Sequence, residues 1–197
     1  MSKAYSIPIE DGTLAYDPEF LGVKESRSLR EHLIESVPWK QEPIKIFGKE
    51  IMQPRLTAWY GDPDTAYSYS GIVMEPLAWS KNLLELKNRI EDFAQSSFNS
   101  VLLNYYRDGQ DSMGWHSDNE PELGQNPVIA SLSLGGVRRF HLKHRQRKEL
   151  ETIRMDLLDG SLLIMGGTLQ HHWLHQISKT KKAVAGRINL TFREVKN

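Results

Sequence analysis

The sequence predicts an α+β fold in which a two-sheet jelly roll is buttressed by helices. Three observations lead to it. Two stretches before Ser100 carry apolar side chains at helical spacing, whereas from Ser100 onward the apolar runs are short and punctuated by glycine. Neither an internal repeat, nor a low-complexity tract, nor a convincing linker divides the chain. Helices first and strands later suit a layered domain whose two sheets face each other while helices cover one outer face.

The first helix is expected near Ser28–Ser36. Ser28 and Glu31 have capping-box spacing ahead of Leu29, Leu33 and Ile34, and Pro38 would end the element. Ile44 to Phe47 and Glu50 to Met52 then flank Gly48-Lys49, which reads as a two-residue type II′ hairpin turn with Phe47 at its tip. In Tyr67-Ser68-Tyr69-Ser70 the alternation puts both tyrosines on one strand face. Ser80 is placed to cap a second helix, whose Leu83, Leu86, Ile90 and Phe93 form a core-facing stripe opposite Lys81, Glu85, Lys87, Glu91 and Asp92. Val101 to Leu103, Val128 to Leu134, Arg139 to Leu142, Ser161 to Met165 and Ala185 to Phe192 read as antiparallel strands, with turns at Asp159-Gly160 and Gly166-Gly167. One domain is expected over 1–197, with helices and hairpin in about 1–99 and the jelly-roll core in about 100–197.

Composition narrows the function classes. At 197 residues and 39% hydrophobic content the chain is long enough to bury a sizeable core. Met1 to Gly22 shows no basic start followed by an apolar run, and no apolar segment approaches the roughly 20 residues of a membrane helix, so the expected setting is intracellular, without a membrane. The absence of cysteine excludes disulfides and thiolate metal sites, which leaves metal binding to histidine and carboxylate. Net charge is zero, so no global field advertises a polyanionic partner. Locally, Arg138, Arg139, Lys143, Arg145, Arg147 and Lys148 cluster, and Lys179, Lys181 and Lys182 follow, which suggests phosphate contacts.

The chemistry is carried by His116-Ser117-Asp118. If the segment is extended, residues i and i+2 share a face, so His116 and Asp118 project together. Two histidines and a carboxylate on one face of an octahedral ion are the ligand set of non-haem Fe(II) oxygenases. His171, His172 and His175 compete for the third place, and spacing alone does not choose among them. The strand that follows has two unlike faces: Ile188, Leu190 and Phe192 on one, Arg187, Asn189, Thr191 and Arg193 on the other. The second face calls for a carboxylate-bearing guest, because arginine's planar fork matches a carboxylate. Asn104 and Tyr106, again at i and i+2, can face the same guest. A zinc hydrolase could use the same triad but would have no need of the arginine strand. A non-catalytic nucleic-acid binder would account for the basic cluster and Phe47 but not for the triad.

These residues resemble the AlkB family of Fe(II)- and 2-oxoglutarate-dependent nucleic-acid dealkylases. The resemblance runs from about Ile44 to Arg193 and is carried by Gln53 to Gly61 (QPRLTAWYG), Asn104 to Gly109 (NYYRDG), Met113 to Glu120 (MGWHSDNE) and Arg187 to Arg193 (RINLTFR). It implies a double-stranded β-helix preceded by a nucleotide-recognition region. It further implies His116, Asp118 and His175 as metal ligands, with His171 and His172 as neighbours, and Asn104, Tyr106, Arg187, Asn189, Thr191 and Arg193 as 2-oxoglutarate contacts. The activity it implies is oxidative dealkylation of N-alkylated bases in DNA, single- or double-stranded, or in RNA, by a monomer that converts 2-oxoglutarate and O₂ to succinate, CO₂ and, from a methyl group, formaldehyde. On the substrate side it implies Phe47, Gly48 and Lys49 as a hairpin whose aromatic enters the base stack. Tyr67, Ser68 and Tyr69 would stand at the base pocket, with Tyr69 stacking opposite His116. Asn119 is a neutral amide where some relatives carry an acid, which alters the expected preference for a cationic base.

Overall fold

A computed structural model of the protein describes residues 3–46, 49–65, 67–69 and 72–196. In chain order its elements are β1 Tyr5–Ser6, β2 Thr13–Asp17, α1 Val23–Ser36, β3 Pro43–Ile46, β4 Lys49–Met52, β5 Leu56–Gly61, β6 Tyr67–Tyr69, β7 Ile72–Met74 and α2 Lys81–Ala94. They continue with β8 Ser100–Tyr106, β9 Met113–His116, β10 Ile129–Gly135, β11 Arg138–His144, β12 Ile153–Leu157, β13 Leu162–Gly166, α3 Leu169–His172, β14 Trp173–Ile177 and β15 Arg187–Arg193. A seven-stranded sheet of order β1-β2-β13-β10-β15-β8-β5 faces a four-stranded sheet of order β12-β11-β14-β9, which is the expected jelly roll. Two short hairpins, β3-β4 and β6-β7, stand apart from both sheets.

The pleat of β15 divides the interior. Ile188, Leu190 and Phe192 are fully buried with Leu33, Leu83, Leu86 and Ile90 of the helices, in the same cluster as Val101, Leu103, Leu132 and Leu134. Each such side chain contributes about 1.5–3 kcal/mol by leaving water. The opposite face, Arg187, Asn189 and Thr191, is also buried, but it lies between the sheets. There the apolar filling comes from a second cluster that includes Tyr106, Phe140, Leu142, Leu157, Met165 and Trp173.

Several expectations are corrected. α1 starts at Val23 rather than Ser28, and its N-cap, Gly22, offers no side-chain bond, so the Ser28/Glu31 capping box does not form. Tertiary contacts fix this end instead: Ser26 is fully buried and bonded to the Asp159 carboxylate, which also accepts from Gly135 N at 2.7 Å. Helices first and strands later is also wrong, since β1, β2 and β5 belong to the larger sheet. Lys49 pairs with Ile46 as part of β4 and is therefore not a turn residue. Phe47 and Gly48 lie outside the described residues. Other readings hold. Ser80 Oγ accepts from Leu83 N at 3.3 Å and caps α2, with Leu83, Leu86 and Ile90 buried. Gly160 turns at φ 75°, where a Cβ would stand 2.5 Å from the Leu21 carbonyl oxygen, so the Asp159-Gly160 turn needs glycine. No helix among the described residues is long and apolar enough to cross a membrane.

Candidate metal and cosubstrate site

β9 ends at His116, so Asp118 lies just beyond the strand and the shared-face argument does not hold as stated. Asp118 is oriented by two other contacts: its backbone N–H donates to Gln170 Oε1 at 2.9 Å, and Arg193 Nη2 donates to its Oδ1 at 2.7 Å. His175, on β14, pairs directly with His116, and the two rings are 4.2 Å apart. The potential ligand atoms of His116, Asp118 and His175 all lie within 4.8 Å of one another. His116 Nδ1 is 2.8 Å from the Gly114 carbonyl oxygen, which can only accept, so Nδ1 is the donor in that contact and Nε2 is the ring atom turned to a ligand. Burial pushes the Asp118 carboxyl up, but Arg193 and the two histidines outweigh it and hold the group below its ordinary range. Burial, and then His116, bring His175 down to about 3. Near neutral pH the three therefore offer one carboxylate and a neutral imidazole in His175, a donor set that fits a divalent ion.

His171 and His172 do not join this group. His171 Nε2 lies 3.1 Å from Asn126 Oδ1, and His172 belongs to a second cluster with Asp11 and His144. That cluster suits a metal poorly. His144 Nδ1 accepts from the backbone N–H of Gln146 at 3.2 Å and of Arg147 at 2.9 Å, so the proton must be on Nε2, which is 3.2 Å from Asp11 Oδ2. A ring held in this tautomer has no lone pair left for an ion and instead ties the N-terminal segment to the end of β11.

Beside the triad, β8, β15 and β10 align their polar rows. Asn189 is opposite Asn104 on one side and Ser133 on the other, and Arg187 is opposite Tyr106. Arg187, 1% exposed, donates from Nη2 to Ser133 Oγ at 2.8 Å and to Asn189 Oδ1 at 2.6 Å. Ser131 Oγ also donates to Asn189 Oδ1, at 2.9 Å, and Asn189 Nδ2 donates to Thr191 Oγ1 at 2.7 Å. Arg55 Nε donates to Asn104 Oδ1 at 2.6 Å, which fixes that amide with its oxygen occupied and its NH₂ available as a donor. Burial lowers Arg187 to about 10, and its Nε has no hydrogen-bond partner. No carboxylate among the described residues is within ion-pair range of Arg187. An uncompensated buried guanidinium costs several kcal/mol, so the site is built to receive an anion. The cavity it lines has about 500 Å³ of empty space, mouth included, and is also bordered by His116, Asp118, His175, Asn104 and Tyr106. Arg193 sits at the metal end of this row, paired with Asp118.

Arg55, Ser131, Ser133 and Gln170 were not anticipated as site residues. The serines had a signal, since they alternate with Ala130, Leu132 and Leu134 in an otherwise apolar run; Gln170 had none. On the substrate side, Asn119 is exposed next to Asp118, and Tyr67, Ser68 and Tyr69 form β6 against β7. Part of the basic cluster is already engaged within the protein. Arg138 is buried and donates to the carbonyl oxygens of Asp108, Asp111 and Ser178, so it braces loops instead of meeting phosphate. Arg139 pairs with Asp156, and Arg147 pairs with Glu10 and Glu149. Arg145 and Lys148 remain exposed, as do Lys179, Lys181 and Lys182.

Comparison with known proteins identifies relatives of the chain. Alpha-ketoglutarate-dependent dioxygenase alkB homolog 3 of Bos taurus is 45% identical over 186 residues, 90% of this chain and 64% of that protein. The human protein of the same name is 44% identical over the same shares. DNA oxidative demethylase ALKBH2 of Bos taurus is 39% identical over 77% of this chain and 57% of its own length. The chain thus spans less than two thirds of the length of these curated relatives. Among solved structures, OsALKBH1 superposes with a TM-score of 0.68 at 18% identity, covering 96% of this chain and 100% of that one. A prolyl hydroxylase from Trichoplax adhaerens, in complex with a hypoxia inducible factor peptide fragment, gives 0.64 at 14%, covering 94% and 84%. At these identities the two share the fold alone. The model of the 2OG-Fe(II) oxygenase superfamily matches residues 13–193, and the chain belongs to that superfamily.

Proposed function

We propose that the chain is an Fe(II)- and 2-oxoglutarate-dependent dealkylase of N-alkylated bases in nucleic acid, with alkylated DNA as its substrate class. It acts as one monomeric domain inside the cell. The observation that carries this reading is the pairing of a His116/Asp118/His175 group with a fully buried arginine, Arg187, that has no carboxylate of its own. A zinc hydrolase would use the first and leave the second unexplained. The names of the similar proteins, an alpha-ketoglutarate-dependent dioxygenase and a DNA oxidative demethylase, support the cosubstrate and the substrate class.

His116, Asp118 and His175 hold the iron, and Arg187, Asn189, Thr191 and Asn104 hold the cosubstrate. When bound, iron and 2-oxoglutarate would supply the activation of dioxygen and the oxidation of the N-linked alkyl carbon. The chain's own residues bind and orient. Ser131 and Ser133 keep the Arg187-Asn189-Thr191 row in one geometry. Arg55 orients Asn104, and Arg193 holds Asp118 ionised. Phe47, Tyr67, Tyr69 and Asn119 meet the nucleic acid: Phe47 fills the gap an extruded base leaves, and Tyr69 stacks on that base.

The test is anaerobic addition of Fe(II) and 2-oxoglutarate, followed by turnover on oligonucleotides carrying one N-methylated base. A 2-oxoglutarate-dependent charge-transfer band, with succinate and formaldehyde formed in equal amounts, is expected. Zinc retention without the band, and hydrolysis without succinate, would overturn the reading.

A further inference from the structure

The four-stranded sheet has a second face, turned away from the cavity. On β11 the side chains of Phe140, Leu142 and His144 are buried, so Arg139, His141 and Lys143 point outward. On β12, Arg154 stands opposite His141, and Asp156 stands opposite Arg139. Trp115 of β9 joins them: it is 37% exposed, its ring is 6.4 Å from that of His141, and the Lys143 ammonium lies 4.3 Å from its centroid. Asp156 is the one acid in this row, and it is already paired with Arg139. Lys143 and Arg154 have no carboxylate in ion-pair range among the described residues. A chain of zero net charge has therefore collected uncompensated cations around an exposed indole on one sheet face.

We propose that this outer face is a stacking platform for a single-stranded segment of the nucleic-acid substrate, with a base on Trp115 and phosphates at Lys143 and Arg154. Charge complementarity selects the occupant. A polyanion satisfies both cations, and a base plane can occupy an indole face as the lysine does now. The His141 imidazole is held below its ordinary range first by burial and then by the charges of Arg154 and Arg139, which face it on this side of the sheet. The platform is also continuous with the cavity. Trp115 immediately precedes His116, Gln176 both borders the cavity and contacts His141, and exposed Arg145 bonds to Ser117 between two of the candidate ligands. A strand whose alkylated base enters the cavity can thus lay flanking nucleotides over the rim.

The proposal rests on the nucleic-acid reading above, and one experiment separates the two. Binding is measured by anisotropy with the Fe(II)-loaded protein and single-stranded DNA carrying one N-methylated base, as a trimer and as a 12-mer, with succinate formation measured in parallel. Wild-type protein should bind the 12-mer more tightly than the trimer. Trp115→Ala should weaken 12-mer binding about tenfold and Trp115→Phe should restore most of it, because stacking tolerates either ring. Arg154→Ala, on a strand remote from the triad, should lower the salt slope of 12-mer binding by about 1. Trimer binding and turnover should be unchanged in all three variants. Equal affinity of the wild type for both lengths, or equal losses on both in the variants, would overturn the platform while leaving the enzyme reading intact. Dimerisation that Trp115→Ala abolishes, with 12-mer binding unchanged, would assign the face to a second copy of the chain. No binding and no turnover with either oligonucleotide would remove both readings.

Discussion

Arg187→Lys isolates what the buried guanidinium does. The wild-type side chain gives Nη2 to Ser133 and Asn189 and keeps Nε without a protein partner. Lysine places a single nitrogen in that space. It can keep the charge and one or two of the protein bonds but cannot also present a planar fork to a carboxylate. At least one hydrogen bond to a charged group is lost, which is worth about 1.5–3 kcal/mol. Since about 1.4 kcal/mol is tenfold, KM for 2-oxoglutarate should rise roughly ten- to a hundredfold with kcat little changed. The pH profile gives a second readout. Burial already brings Arg187 to about 10, so the wild-type side chain stays charged through pH 9. Lysine starts from a lower ordinary value and is lowered by the same burial, so its charged form, which binds the dianion, is lost earlier as pH rises. KM of the variant should climb between neutral pH and pH 9 while wild type stays flat. Succinate formation against 2-oxoglutarate concentration measures both. An unaltered KM, or parallel pH profiles, would mean that this strand does not meet the cosubstrate.

Asp118→Ala should abolish iron binding and turnover with the circular dichroism of the fold retained, and stoichiometric Fe(II) in the variant would refute its role. Among His171→Ala, His172→Ala and His175→Ala, the last alone should lose metal by elemental analysis; loss in either of the others would reassign the third ligand. Phe47→Ala should lose activity mainly on duplex substrate, where an extruded base leaves a gap to fill; equal losses on one methylated oligonucleotide, free and annealed, would make Phe47 a structural residue. Ser80→Ala removes the cap of α2 and should lower unfolding free energy by about 1 kcal/mol in urea, with KM for 2-oxoglutarate unchanged.

The parts of the site that were legible in the sequence are those whose signal is local. The period-two alternation of β15 could be read directly, because a strand buried on both faces with unlike contents needs both patterns at once. Ser80 was legible for the same reason, since a cap is a bond across three residues. What escaped depends on partners distant in sequence. β2 and β5 are short and have no sharp alternation; they are strands because β13 and β8 offer them an edge. The start of α1 is set by Ser26 meeting Asp159, which the nearby Ser28 and Glu31 pattern could not reveal. Asp118 reaches the triad through Gln170 and Arg193, not through the pleat. Arg138, which looked like part of a phosphate-binding run, is instead satisfied by three loop carbonyls.

The strand order also constrains how the chain becomes a protein. Asp17 pairs with Leu162, and β15, which joins β10 to β8 inside the larger sheet, follows both of them in sequence. Few of the contacts that close this sheet are local, so folding must wait on long loop closures and should be slow for a domain of this size. On the ribosome, β8 and β10 emerge with open edges and stay open until Arg187–Arg193 clears the exit tunnel. The segment that supplies the cosubstrate row is thus also the one whose arrival completes the sheet, and a nascent chain halted before it would have neither a finished fold nor a guest site.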